Sequence, residues 1–291
     1  MSESKTRILT ALGIGAAVLV VWLWGTQAVG FFLALIAGGC CWELFLRFRV
    51  REEAQGDAGP WNSGAVAASV MAYVAVLGSP AFSVVAVNWL PPWGMFVLVP
   101  AFAGGWMLLR RAITHAHLPG IWRYPVLVLG SAGYVVLPLW VLRGLCAEGV
   151  DLSGLKGANV FLATLMLLWT LDTGALLVGR MWGQRPLHSL ISPSKTLEGS
   201  LGGWMLCALM GWWGLPYFFG EEILPGWGWL AVAAGPAGIA GDLMESALKR
   251  RAGIKDSGSW LPGHGGWLDR FDSLLALGII LGAWWVLSVL P

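Results

Sequence analysis

Long apolar runs alternate with short polar pieces along almost the whole chain. A run of about 20 apolar residues matches the hydrocarbon thickness of a bilayer when it coils into a helix. On that measure the pattern predicts spans at 8–24, 29–46, 63–79, 92–109, 124–142, 159–178, 200–217, 227–241 and 273–290, the eighth of them short. Turn-rich pieces such as Gly56 to Gly64, Ser79-Pro80 and Pro91-Pro92 punctuate the runs. The expected fold is therefore all-α: a polytopic integral membrane bundle of about nine transmembrane helices. It divides into an N-terminal transmembrane region, 1–157, and a C-terminal transmembrane region, 158–291, where the polar motifs gather. The run from Ile8 to Trp24 follows Lys5 and Arg7 as a signal peptide would, but the apolar segments that succeed it predict a retained first helix.

Composition sharpens this picture. Of 291 residues, 57% are hydrophobic, 12% are charged and 20 are tryptophan, and the mean hydropathy is +0.71. Soluble domains carry about 25% charged residues, so a water-soluble globular reading is excluded. The formal charge of +2 is uninformative, whereas the placement of the basic residues is not. With a cytoplasmic N-terminus, nine crossings leave 47–62, 110–123, 179–199 and 242–272 inside. Sixteen of the 18 Lys and Arg residues then lie inside, leaving only Arg143 and Lys156 outside. That bias predicts an N-in, C-out chain with its polar motifs facing the cytoplasm, and the membrane itself is expected to be a bacterial inner membrane. Cys40, Cys41, Cys146 and Cys207 form no CxxC pair and are expected to be small buried hydrophobes.

The first half offers little chemistry. His115 and His117 sit in a basic loop suited to lipid headgroups, and Glu43 has Arg47 four residues on as a helical partner. Every strong signal lies between Trp169 and Ser273. Asp172 falls inside the sixth run, near its cytoplasmic end, where a carboxylate is costly and marks function unless Arg180 pairs with it. The segment from Ser192 to Gly203 places Pro193 to end an extended piece and Ser194 or Thr196 to cap a helix. Free amides at that helix start, beside Lys195, suit a phosphate. Its glycines are equally what a helix-packing face requires.

The densest cluster runs from Gly241 to Ser273. On a helix, Asp242, Glu245, Ser246 and Lys249 share one stripe, and Asp269 and Asp272 share another. Two converging carboxylate stripes suit Mg²⁺, a hard ion that prefers oxygen donors shared among protein, water and phosphate. Lys249, Arg250, Lys255 and Arg270 would meet the remaining phosphate oxygens, and the Gly-rich Pro262 to Gly266 turn would let backbone approach a ligand. Zinc is a poor fit, with one local His and no thiolate. A transporter would spread polar residues over several spans and both faces, whereas here they cluster on one face.

Ser246, Lys249-Arg250, Lys255-Asp256, His264-Gly265-Gly266, Asp269-Arg270 and Asp272 together resemble the signature of the phosphatidate cytidylyltransferase (CDP-diacylglycerol synthase) family. Asp172-Thr173-Gly174-Ala175 and the Ser192 to Gly199 segment also resemble family motifs, so the likeness covers about residues 165 to 275. Leu176 stands where an aromatic residue often follows. The resemblance implies transfer of CMP from CTP to phosphatidate, with Mg²⁺ as cofactor and 158–291 as the catalytic region. It makes Asp242 and Asp269 the leading metal ligands, with Asp272, Asp172 and Glu245 as further candidates. Asp242, Asp269, Lys249 and Arg250 form the implied catalytic set. Ser194, Lys195, Ser246, Lys255, His264 and Arg270 are the implied substrate contacts. Expected partners are CTP, phosphatidate and membrane lipids, with no nucleic acid and with a homo-oligomer allowed. The nearest rival is another CTP-using membrane enzyme, for a different lipid phosphate or a polyprenol.

Overall fold

The computed structural model describes residues 3–54, 63–78, 95–114, 120–148, 155–220, 226–261 and 265–289. Over these residues the chain is helical apart from one small hairpin and short connections, because backbone within a bilayer must satisfy its amides inside each segment. The order is α1 (Glu3–Leu23), α2 (Thr26–Ala54), α3 (Ser63–Gly78), α4 (Met95–Thr114), α5 (Gly120–Ser131), α6 (Leu137–Glu148) and α7 (Leu155–Trp182). The hairpin β1 (Pro186–His188) and β2 (Ser192–Thr196) comes next, then α8 (Leu197–Leu209), α9 (Leu215–Phe219), α10 (Trp227–Arg251) and α11 (Leu268–Val289). Single π-turns, Ala132–Val136 and Met210–Gly214, link α5 to α6 and α8 to α9. The segments Thr26–Leu46, Tyr124–Ala147 and Gly157–Trp182 are long and apolar enough to cross a membrane. The protein is an all-α membrane protein.

Several helices outrun the apolar runs that announce them. The run at 227–241 is short, yet α10 continues to Arg251, a 25-residue helix about 38 Å long. Leu243, Met244, Glu245, Ala247, Leu248, Lys249 and Arg250 are strong helix formers, so only hydropathy stops at Gly241. The helix ends where Gly253 turns left-handed (φ 72°), with Ile254 N donating to Lys249 O (3.0 Å) and Gly253 N to Arg250 O (3.1 Å). Likewise α7 reaches Trp182, so Asp172 lies nearly three turns inside the helix rather than at its end. Pro193 lies within β2 and does not end it. Among the described residues the sheet has two strands, both edges, where a missing N–H is tolerated.

The core centres on α2, α6, α7 and α11, through residues such as Leu33, Ile36, Leu139, Phe161, Leu167 and Leu275. All four cysteines are buried and free, as expected. Arg143, expected in an outer connection, is instead buried within α6. It donates from Nη1 to Thr26 O (3.2 Å) and from Nη2 to Gln27 Oε1 (3.4 Å).

Two helix pairs position the chemistry. α7 meets α8 through small residues: a Cβ on Gly174 would stand 3.0 Å from Gly203 Cα, and one on Gly199 would stand 2.7 Å from Ala175 O. α10 meets α11 at Gly241, where a Cβ would stand 2.8 Å from Asp272 O. Ser273 Oγ donates across that seam to Gly238 O (3.1 Å).

Candidate active site

The hairpin delivers Lys195 to the helix bundle. Leu197 N donates to Arg185 O (2.8 Å), closing the hairpin onto the first turn of α8. Thr196, not Ser194, caps that helix: its Oγ1 accepts from Gly199 N (3.1 Å). Glu198 then reaches back, accepting from Gln184 N and Arg185 N, each at 3.1 Å. Its own N–H and those of Gln184 and Arg185 hold its carboxyl below the usual carboxylate range. With its base fixed at both ends, Lys195 extends to an ion pair with Asp242.

The two stripes expected on α10 and α11 do converge. Lys249 Nζ lies 2.6 Å from Glu245 Oε2, one turn back on its own helix, and 2.7 Å from Asp269 Oδ1 on α11. Asp269 Oδ2 accepts from Ser257 N (2.9 Å) and Gly266 N (2.8 Å). One turn on, Asp272 is buried and accepts from Ser273 N through Oδ1 (2.7 Å). The close approach at Gly241 sets Asp272 within electrostatic reach of Asp242 and Asp172.

A cavity of about 1020 Å³ opens among these elements. Asp172, Ser194, Lys195, Asp242, Lys249, Asp269, Arg270 and Asp272 all line it, so eight sequence candidates meet in one place. Thr196, Ser200, Asp256 and Arg180 add to the polar wall. Apolar residues complete the lining, among them Ala11, Ile14 and Val18 of α1 and Leu165, Leu168 and Leu176 of α7. No ion pair joins Asp172 to Arg180 among the described residues.

Other candidates lie off the cavity. Arg250 is exposed and donates from Nε to Ile191 O (3.3 Å) and from Nη1 to Ile254 O (3.2 Å), tying the β1–β2 turn to the α10 exit. Lys255 is exposed outside the cavity, Ser246 is buried beside it, and Glu245 reaches it only through Lys249. His264, His115 and His117 lie outside the described residues.

The sequence pattern underrates Glu43. It is buried, and its Oε1 accepts from Trp267 N (2.8 Å), while Oε2 accepts from Ser257 Oγ (2.8 Å) and Leu268 N (3.1 Å). The signal that could have found it is the cost of a carboxylate within an apolar run, the same one that singles out Asp172.

The donor set suits Mg²⁺. Among the described residues, no group of three or more His, Cys, Asp and Glu side chains is placed to hold a metal ion by itself. Yet Asp172, Asp242 and Asp272 bring hard oxygen donors to the lining of one cavity. Mg²⁺ characteristically takes one or two carboxylates and completes its shell with water and substrate phosphates, so an open set fits it.

The model of the cytidylyltransferase family matches residues 5–288. The chain belongs to this family. A phosphatidate cytidylyltransferase of Staphylococcus aureus (strain COL) is 44% identical over 124 residues, which is 41% of this chain and 46% of the relative. The Staphylococcus haemolyticus protein of the same name gives the same identity and coverage, and that of Staphylococcus epidermidis is 42% identical over 125 residues. The matched segment thus spans about half the length of these relatives. Membership of that family is the frame in which the cavity is read.

Proposed function

We propose that this cytidylyltransferase transfers CMP from CTP to phosphatidate, giving CDP-diacylglycerol and pyrophosphate. The observation that carries this reading is the mixed lining of the cavity, which combines carboxylates, Lys195, Lys249 and Arg270 with apolar residues of α1 and α7. A substrate with a phosphate headgroup and acyl chains matches both parts of that lining. The relatives' printed name, phosphatidate cytidylyltransferase, supports the same substrate.

In the reaction, a phosphatidate monoester oxygen attacks the α-phosphorus of CTP. A new P–O bond forms as the bond to the bridging α–β oxygen breaks, and that oxygen leaves with pyrophosphate. The lipid supplies the nucleophile, so the protein's task is to hold two anions in line and offset their charge. Lys195 and Arg270, both on the cavity wall, suit the phosphate oxygens. Lys249 is held by Glu245 and Asp269 at a fixed place on that wall. Mg²⁺ would be held by one or two of the cavity carboxylates Asp242, Asp269, Asp272 and Asp172, with water and substrate phosphates completing its shell. When bound, the metal screens phosphate charge and supports the leaving pyrophosphate. With the N-in orientation expected from the basic residues, the cavity would face the cytoplasm from a bacterial inner membrane, reached by CTP from the water and by phosphatidate from its leaflet.

The test supplies detergent-purified protein with phosphatidate, α-labelled CTP and Mg²⁺. Labelled CDP-diacylglycerol together with released pyrophosphate is the expected result. Release of CDP without pyrophosphate would convert the reading to phosphoryl transfer, and folded protein that forms neither product would overturn it.

A further inference from the structure

We propose that Glu43 is a positioning residue for nucleotidyl transfer: from α2, none of whose described residues lines the cavity, it fixes the loop that holds Asp269 in place. The proposal deepens the reaction given above and rests on it for its kinetic arm. Its geometric basis is a shared grip. Ser257 gives its hydroxyl to Glu43 (2.8 Å) and its N–H to Asp269 (2.9 Å). Gly266 gives its N–H to Asp269 (2.8 Å), and a Cβ placed on it would press into the Glu43 carboxylate. The two carboxylates therefore clasp the same stretch of backbone from opposite sides. From Asp269 the chain of contacts continues to Lys249 and on to Glu245.

The grip also caps a helix. Trp267 N and Leu268 N are among the donors at the start of α11 that no intrahelical carbonyl can satisfy, and Glu43 takes both. Its neighbours make room for this. A Cβ on Gly258 would collide with the Glu43 carboxylate, and one on Gly39, a turn earlier on α2, would stand 2.6 Å from Cγ of the Trp267 indole. Three glycines, one on α2 and two between α10 and α11, thus allow the loop to settle on one buried carboxylate. A membrane helix could anchor its neighbour with apolar contacts alone, and a carboxylate is the costly choice. The cost is matched by what it orients: the first turn of α11, carrying Asp269, Arg270 and Asp272 to the cavity.

The experiment compares wild type with Glu43→Gln, Glu43→Asp and Ser257→Ala, each purified in detergent and checked for monodispersity. Amide hydrogen exchange is read first, because it needs no substrate. Glu43→Gln should speed exchange across residues 257–268 while leaving the α7 and α8 amides at wild-type rates. Turnover per folded molecule should fall about 10–100-fold, with a matching rise in the Mg²⁺ concentration needed for half-maximal rate. The KM for phosphatidate should stay within about twofold, since the apolar lining is untouched. Glu43→Asp should recover part of the loss, and Ser257→Ala, which keeps the two N–H bonds to Glu43, should show a smaller loss in the same direction. Wild-type exchange over 257–268 in Glu43→Gln would overturn the proposal. So would lower yield of folded protein with unchanged turnover and Mg²⁺ dependence per molecule. Should Glu43→Gln fail to assemble, Ser257→Ala decides by the same readouts. If wild type itself makes no CDP-diacylglycerol, the reaction assigned above fails while the exchange result still decides whether Glu43 holds the loop.

Discussion

Two helix pairs in this protein use the same packing device to different ends. α7 and α8 come together through Gly174, Gly199 and Gly203, and their close approach brings small residues and backbone into contact. α10 and α11 come together at Gly241, and there the approach sets Asp242 beside Asp272. One seam gains contact and the other concentrates like charge. The second arrangement is offset by cations: Lys195 arrives from the hairpin to pair with Asp242, and Lys249 of α10 itself bridges Glu245 and Asp269. Glycine at a helix seam is thus neutral as to function, and the side chains next to each glycine along the chain decide its use.

The largest expected effect comes from removing the bridge. Lys249→Met keeps the aliphatic stem but leaves Glu245 and Asp269 without their shared cation, which should cost about 3–5 kcal/mol of stability and abolish measurable turnover. Thermal unfolding in detergent checks the first part and the CDP-diacylglycerol assay the second. Near wild-type stability would show that the two acids find other partners. Asp269→Asn should preserve more of the fold, because an amide oxygen can still accept from Ser257 N and Gly266 N, yet lower kcat about 10²–10³-fold. Near-normal kcat in assembled protein would remove Asp269 from the essential set.

The glycines themselves sharpen the contrast. Gly241→Ala forces a methyl against Asp272 O and Ala276 Cβ, so α11 must move away from Asp242. Gly203→Ala forces one against Leu171 O and Ala175 N. Each overpacking should cost about 1–3 kcal/mol. Turnover per folded molecule should drop far more for Gly241→Ala, since that seam joins the two helices that carry Asp242, Asp269 and Asp272. Equal losses of turnover would mean that both seams serve the site alike. Lys195→Ala comes next in size. Its pair with Asp242 is partly exposed, so the change in stability should stay below about 1 kcal/mol. The KM for CTP or phosphatidate should rise, and unchanged kinetics with both would take Lys195 out of the site.

Much of this was legible in the sequence because spacing and helix geometry are tightly linked. Asp242, Glu245 and Lys249 fall on one helical stripe, and the structure joins the last two as an i,i+4 pair. Asp269 and Asp272 start the next helix, and the approach at Gly241 makes the stripes meet. What did not show were the contacts across long sequence separations. Glu43 reads as a helix residue with Arg47 four positions on, because nothing local announces that Ser257, Trp267 and Leu268 will fold back onto it. Arg250 shares the basic cluster with Lys249 but points to Ile191 and Ile254, a difference of one residue that rotates a side chain by about 100° around the helix. Hydropathy also ends a span where apolarity ends, and α10 continues as helix for ten residues beyond Gly241.

The smallest expected effect tests how firmly the hairpin delivers Lys195. Glu198 faces solvent, and the N–H groups that hold its carboxyl below the usual range favour its ionised form in the folded protein. A depressed folded-state value means that the contribution is fully present above the ordinary glutamate pKa of about 4.3 and is lost as pH falls through the lower value. At neutral pH, Glu198→Gln should therefore speed amide exchange at Gln184 and Arg185 and raise the KM for a phosphate-bearing substrate by no more than about threefold. Below the depressed value, wild type and Glu198→Gln should converge, because both then present an uncharged acceptor to those amides. Thr196 still caps α8 in the variant, so the helix should remain intact. A loss of turnover as large as that of Lys195→Ala would show that the hairpin depends on this one carboxylate and that the seam of charge between α10 and α11 is set from α8 as much as from Gly241.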